Sequence, residues 1–316
     1  MMSLNDMYRV TGDSKYLDAN LKCIQATLEA TDDKRGKQLW TGRVVAAWGC
    51  EKYAERGRAV FAVHTGIICA PIFDFLLLAQ GNPAYRTGLG EKYKAILDGA
   101  TAALAVHDRQ WRDGPGDGEG SYIGMDQENV CENKPLPGNR IGAMGWALWL
   151  SWKVTNGDGA GNTTHRDRAL AIGRYIKNRL TLAPDGAYYW PYWLSLEPAV
   201  QGQSKDDIDG EDTSHAGLTM ALPLSLAADG QVFTAEDLGR FAKTVLNGFG
   251  RRTDGILISR ITGKTDLTPS YLGEPTFWLP TAKAAPEVRT RIVNFYLMYR
   301  PKPSPLGIAQ LMLIQK

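Results

Sequence analysis

The stretch Val10-Thr-Gly-Asp-Ser-Lys-Tyr-Leu-Asp-Ala19 reads as the end of one helix, a glycine-containing turn and the start of a second, amphipathic helix. Comparable turns stand at Ala79-Gln-Gly-Asn-Pro-Ala-Tyr85, Val154-Thr-Asn-Gly-Asp158 and Ala228-Asp-Gly-Gln-Val232. They recur roughly every 70 residues, longer than the common solenoid periods but suited to helical hairpins that carry long loops. The helices before these turns are strongly apolar, over Ile67 to Leu78, Ile141 to Trp152 and Leu218 to Leu226. Those after them, over Asp167 to Leu180 and Ala235 to Leu246, place their charges on one face. The first kind reads as an inner layer and the second as an outer one. The expected fold is therefore all-α: an α/α toroid whose inner helices line a central cleft.

Met7-Tyr-Arg-Val-Thr-Gly-Asp13 matches only the last turns of an inner helix. The reading is thus a single toroid domain over residues 1–316, an incomplete or open ring with a truncated first hairpin. Trp111 to Pro137 is rich in Gly and acids, and Ala187 to Asp212 mixes aromatics with a polar run. Both read as long loops over the cleft, and loops of that length in a folded domain tend to carry function.

The 316 residues are 44% apolar, enough for a substantial core, which excludes disorder, collagen and a small disulfide scaffold. With 36 basic against 34 acidic side chains and no basic stripe, nucleic acid is not an expected partner. Apolar stretches such as Ile67 to Ala79 are interrupted by Pro71 and Asp74 and fall short of the roughly 20 residues a bilayer requires, so no membrane span is expected. The first residues lack the pattern of a secretory signal. Cys23, Cys50, Cys69 and Cys131 have no CxxC spacing and no paired His, and read as buried thiols.

No cofactor or metal is expected either. Gly114 to Gly120 has neither phosphate-loop nor dinucleotide order. The run Asp206, Asp207, Asp209, Glu211 and Asp212 lacks the ligand order of a calcium loop and reads as solvated.

A short polar cluster opens each well-defined inner helix: Val63-His-Thr-Gly66, Leu136-Pro-Gly-Asn-Arg140 and Glu211-Asp-Thr-Ser-His-Ala216. Inner helices running parallel around a ring would bring His64, Asn139, Arg140 and His215 to one face, where unpaired N–H groups and the helix dipoles favour an anion. A plainer reading makes Thr65, Asn139, Thr213 and Ser214 simple helix caps. Tyr188-Tyr-Trp-Pro-Tyr-Trp193 holds five aromatics in six positions, suited to stacking on sugar rings or to plugging a core. His107 and His165 lack comparable surroundings and read as surface residues.

On these pieces the sequence resembles the α/α toroid carbohydrate-active enzymes, and within them the polysaccharide lyases of uronic-acid polymers such as alginate or glucuronan. The resemblance implies β-elimination on an acidic polysaccharide and suggests a secreted or periplasmic protein. It casts His215 as the base, with Tyr189 or Tyr192 as the acid and Tyr271 a weaker third choice. Asn139, Arg140 and His64 are expected to hold the carboxylate, because neutralising it stabilises the charge that develops as the C5 proton leaves. Glu211 is expected to orient His215 or a sugar hydroxyl, and Trp190 and Trp193 to stack on sugar.

Rival readings on the same scaffold are a uronyl C5-epimerase, a noncatalytic glycan-binding protein and a glycoside hydrolase. The last needs two carboxylates across the cleft, from among Asp126, Glu132, Glu211, Asp212 and Glu274.

Overall fold

The computed structural model describes residues 1–125, 133–249, 259–265, 275–299 and 304–314. The fold is all-α in class. Its helices are α1 (Met2–Thr11), α2 (Lys15–Leu28), α3 (Ala62–Gln80), α4 (Pro83–Leu89), α5 (Glu91–Ala105), α6 (Gly138–Gly157), α7 (Thr163–Lys177), α8 (Thr213–Ala228), α9 (Ala235–Gly248), α10 (Glu287–Tyr299) and α11 (Pro305–Ile314). Among the described residues the only sheets are two short antiparallel pairs: β1 (Trp111–Asp113) with β2 (Gly120–Tyr122), and β3 (Thr181–Leu182) with β4 (Tyr188–Tyr189). The packing divides into two compact units: residues 1–113, 120–136 and 143–169, and residues 114–119, 137–142 and 170–316.

In the first unit α3 forms the core, with α1, α2, α4 and α5 packed on it. Cys69, Ile72, Phe73, Phe75 and Leu76 are all fully buried. A helix apolar on every side, as this one is, belongs in an interior. Gly66 lets α3 approach α6, since a Cβ there would lie 2.5 Å from the Ala143 carbonyl carbon. α3 is 19 residues long and, contrary to the expectation from sequence, apolar enough by length and composition to cross a bilayer. In the structure 67% of that stretch is buried. Its Asp74 accepts from Asn5 Nδ2 at 2.8 Å and pairs with Arg9. An acid with two α1 partners suits a helix packed within a protein core.

The recurring turn takes two forms. Gly12 closes α1 in the left-handed region (φ +71°), its N–H donating to Tyr8 O at 2.7 Å. Gly81 ends α3 at φ −70° instead, and Asn82 starts α4 by accepting from Tyr85 N, with Pro83 in the first helical position. The helical stretch after this turn is broken at Gly90 into α4 and α5.

His107 and His165 are buried, which corrects their reading as surface residues. His107 bridges Thr65 Oγ1 (2.8 Å) and Gln110 Oε1 (2.5 Å), and His165 Nδ1 meets Ser151 Oγ at 3.0 Å. Burial pulls both imidazoles down to about 4, so they sit neutral in the core. The cysteines also depart from expectation: Cys23 is exposed and Cys50 half-buried, leaving Cys69 as the buried thiol, while Cys131 lies outside the described residues.

In the second unit α8, α9, α10 and α11 pack against a 3-10 segment, Pro275–Lys283. The core is aromatic: Trp190 stacks on Trp278 with centroids 5.9 Å apart, and Phe241 and Phe249 close around them. Gly142 permits close contact with α8, a Cβ there lying 2.8 Å from Thr219 Cα. A buried ion pair, Arg179 Nη1 to Glu119 Oε1 at 2.9 Å, ties residues 114–119 to the segment after α7.

Candidate active site

The second unit gathers several of the predicted residues at the start of α8. Asp212 is the N-cap: its Oδ1 accepts from Ser214 N and His215 N, both at 3.0 Å. Its Oδ2 is hydrogen bonded to His215 Nδ1. One carboxylate therefore caps the helix and orients the first-turn imidazole. A proton on Nδ1 facing Asp212 leaves the lone pair on Nε2, the tautomer suited to accept a proton. The His215 side chain is 32% exposed.

Tyr192 lies edge-on to that imidazole, ring centroids 5.3 Å apart at 71°. The Arg140 guanidinium lies near its phenol. Burial pushes the phenol up overall, with the nearby Arg140 charge acting against it. The backbone fixes this pairing, since Gly138 N donates to Tyr192 O at 3.2 Å and holds the aromatic loop to the first turn of α6. Asn139 is buried in the same turn, and its Oδ1 has no hydrogen-bond partner among the described residues. Trp193 stands edge-on to Tyr192 at 5.6 Å and is 44% exposed, a face open to a ligand.

Behind this group Glu211 is fully buried. Its Oε2 accepts from Trp190 Nε1 (2.6 Å) and Thr219 Oγ1 (2.7 Å), and its Oε1 has no partner among the described residues. Burial raises its carboxyl to about 8, against the pull of those two donors. Burial thus favours the neutral carboxyl, and Glu211 acts as a strut between the aromatic loop and α8.

No protein family, curated protein or solved structure matches this chain.

The structure thus brings together Asn139, Arg140, Tyr192, Trp193, Glu211 and His215, and reassigns several of them. Asp212, three residues before His215, holds the imidazole in the place given to Glu211. It also performs the capping expected of Thr213 or Ser214. Trp190 is sealed against Trp278 and Glu211, so it is a core plug and not a stacking face for sugar. Tyr189 is fully buried, and its hydroxyl donates to Asp185 Oδ2 at 2.8 Å, an oxygen that also accepts from Asn247. Burial and Asp185 both raise its phenol. That environment gives Tyr189 a structural role and leaves Tyr192 as the tyrosine beside His215.

His64 belongs to the first unit, in the first turn of α3, against Phe61 and Tyr53. Tyr271, Asp126, Glu132 and Glu274 lie outside the described residues. A groove of about 550 Å³ in the first unit, between α2 and α5, has Leu28, Ile96 and Ala102 among its walls and contains none of the predicted site residues. Among the described residues no three His, Cys, Asp or Glu side chains converge as a metal site would require.

Proposed function

We propose that the protein is a carbon–oxygen lyase that cleaves a uronic-acid polysaccharide by β-elimination, on helical hairpins arranged as an α/α toroid. The observation that carries the reading is the edge-on contact of the Tyr192 ring with His215, itself hydrogen bonded to Asp212, with the Arg140 charge near the phenol. Arg140 and the Asn139 amide grip the uronate carboxylate, whose neutralisation makes the C5 proton acidic enough to remove. His215 Nε2 takes that proton, and Asp212 stabilises the imidazolium that forms. The electron pair from the C5–H bond becomes the C4–C5 double bond as the C4–O4 bond breaks. Tyr192 gives its proton to the departing O4, and the adjacent Arg140 stabilises the phenolate left behind.

A hydrolase reading has less support. Asp212 is committed to His215 and the α8 amides, and Glu211 is sealed from solvent, so neither forms a pair of carboxylates facing a cleft.

The test is a screen of alginate, glucuronan, pectate and glycosaminoglycans for new ultraviolet absorbance from an unsaturated uronate, with His215→Ala and Tyr192→Phe run beside the unaltered chain. Absorbance on one polymer that both substitutions abolish supports the proposal. Cleavage without a double bond, inversion at C5 without cleavage, or full activity in either variant overturns it.

A further inference from the structure

The loop 50–59 of the first unit has a fixed base and an outer surface that carries an aromatic ring and charges of both signs. Cys50 and Ala59 close it by exchanging backbone hydrogen bonds of 2.8 and 3.0 Å. At its end Arg58 clamps the buried Asp32 through two hydrogen bonds, 2.9 and 2.6 Å. Gly49 is required beneath this clamp, since a Cβ there would lie 2.4 Å from Asp32 Oδ2 and 2.6 Å from Arg58 Nε. Trp40 N donates to Arg58 O at 2.9 Å, which ties the preceding segment to the same base.

On this base stands Tyr53, 55% exposed, with its ring 6.0 Å from that of His64. Lys52 Nζ is 5.2 Å from the Tyr53 centroid, and the Arg56 guanidinium is 5.2 Å from the Trp40 ring. Phe61, buried, meets His64 edge-on at 5.3 Å and supports it from within. The exposed Tyr53 and the half-buried Trp40 thus each carry a cation over one face of the ring.

Sugar rings stack their C–H faces on aromatics, and a carboxylate on the ring seeks a guanidinium or ammonium nearby. The charge balance separates this ligand from a polyphosphate. The loop carries Glu51, Lys52, Glu55, Arg56 and Arg58, and with Arg58 neutralised by Asp32 the remaining two cations face two acids. A phosphate backbone demands a clear positive excess, whereas one carboxylate per sugar needs only one or two local donors.

We infer that this loop is a binding site for an anionic sugar unit, with Tyr53 and Trp40 as its stacking faces and Lys52 and Arg56 as its carboxylate partners. The choice of a uronate rests on the proposed lyase reading; the site itself rests on the loop and Trp40.

The experiment is affinity electrophoresis of the full chain through gels holding polymannuronate, polyguluronate, polyglucuronate, polygalacturonate, a neutral glucan or a thymidine oligonucleotide, with Tyr53→Ala and Arg56→Ala in parallel. Both substitutions fall on exposed side chains, and unchanged thermal melts verify folding. Retardation by a polyuronate, none by the glucan, and about tenfold weaker binding in each variant support the site, tenfold being the loss of about 1.4 kcal/mol. It is overturned if no polyuronate retards the chain, if both variants bind as the parent does, or if the oligonucleotide binds best. Turnover followed in the same samples separates the two proposals. Binding through Tyr53 without unsaturated product keeps this site and removes the lyase. Product formation with undiminished Tyr53→Ala binding does the reverse.

Discussion

The His215 imidazole stands edge-on to the Tyr192 ring, centroids 5.3 Å apart and planes at 71°. His215 is hydrogen bonded to Asp212, and the Arg140 guanidinium lies near the Tyr192 phenol. In the proposed elimination His215 is the base and Tyr192 the acid, each near a group of opposite charge to the one it would acquire. That is the arrangement an elimination with separate base and acid requires.

Asp212 serves two functions that substitution can separate. Asp212→Asn keeps an oxygen for the Ser214 and His215 amides, so the α8 cap survives, but it removes the carboxylate charge from His215. Asp212→Ala removes both, and loss of a cap costs about 1 kcal/mol. Turnover is expected to fall on the order of 10²- to 10⁴-fold in both variants. The melting temperature is expected to fall clearly only in Asp212→Ala. Paired kinetic and calorimetric measurements check this.

The two tyrosines of the aromatic loop should behave oppositely. Tyr192→Phe removes the proposed acid and should abolish turnover with little change in stability. Tyr189→Phe removes a hydrogen bond to Asp185 that lies apart from His215, with an expected cost of about 1 kcal/mol and most activity retained. Denaturant titrations and initial rates on the same preparations decide the matter.

Glu211 makes stability depend on pH. Its carboxyl titrates near 8 in the folded chain and near 4.5 when exposed. Between those values the unfolded chain has lost a proton that the folded chain retains, so the contribution is full below about 4.5 and is lost as pH rises towards 8. Glu211→Gln keeps an acceptor for Trp190 and Thr219 and cannot ionise. The slope of unfolding free energy between pH 5 and pH 8 should therefore be less negative in Glu211→Gln than in the parent.

His107 gives the opposite sign. Its folded value of about 4 lies below the ordinary 6.5, so the unfolded chain gains a proton first on acidification. Stability is full above about 6.5 and declines as pH falls towards 4. His165, also held at about 4, adds to the same decline. In His107→Gln the parent's loss of stability between pH 7 and pH 5 should be reduced, as read by denaturant midpoints at the two pH values.

The apolar helices were legible because burial on all sides leaves an uninterrupted apolar run, and α3, α6 and α8 begin close to where their polar clusters predict. Other helices were less so: Gly90 separates α4 from α5, and the helical segments after residue 275 left no periodic pattern that stood out among their prolines. In the site, Arg140 and His215 could be found from their places in first helical turns. Asp212 carried a readable signal too, an acid three residues before a histidine at a helix start, but the four-residue spacing of Glu211 competes with it. Trp190 and Trp193 cannot be told apart locally, because what seals Trp190 is Trp278, far away in the chain. The same holds for His107, whose partner Thr65 is 42 residues distant. Burial of a polar side chain depends on such distant partners, and local sequence does not report them.

The most direct test of the central claim is the structure of the chain ends made on cleavage, read by mass spectrometry and proton NMR of products formed in heavy-oxygen water. The account predicts non-reducing ends lighter by one water than their hydrolytic counterparts, carrying a C4–C5 double bond and no heavy oxygen, and none of these products from His215→Ala. Saturated ends with heavy oxygen at the new reducing end would contradict it.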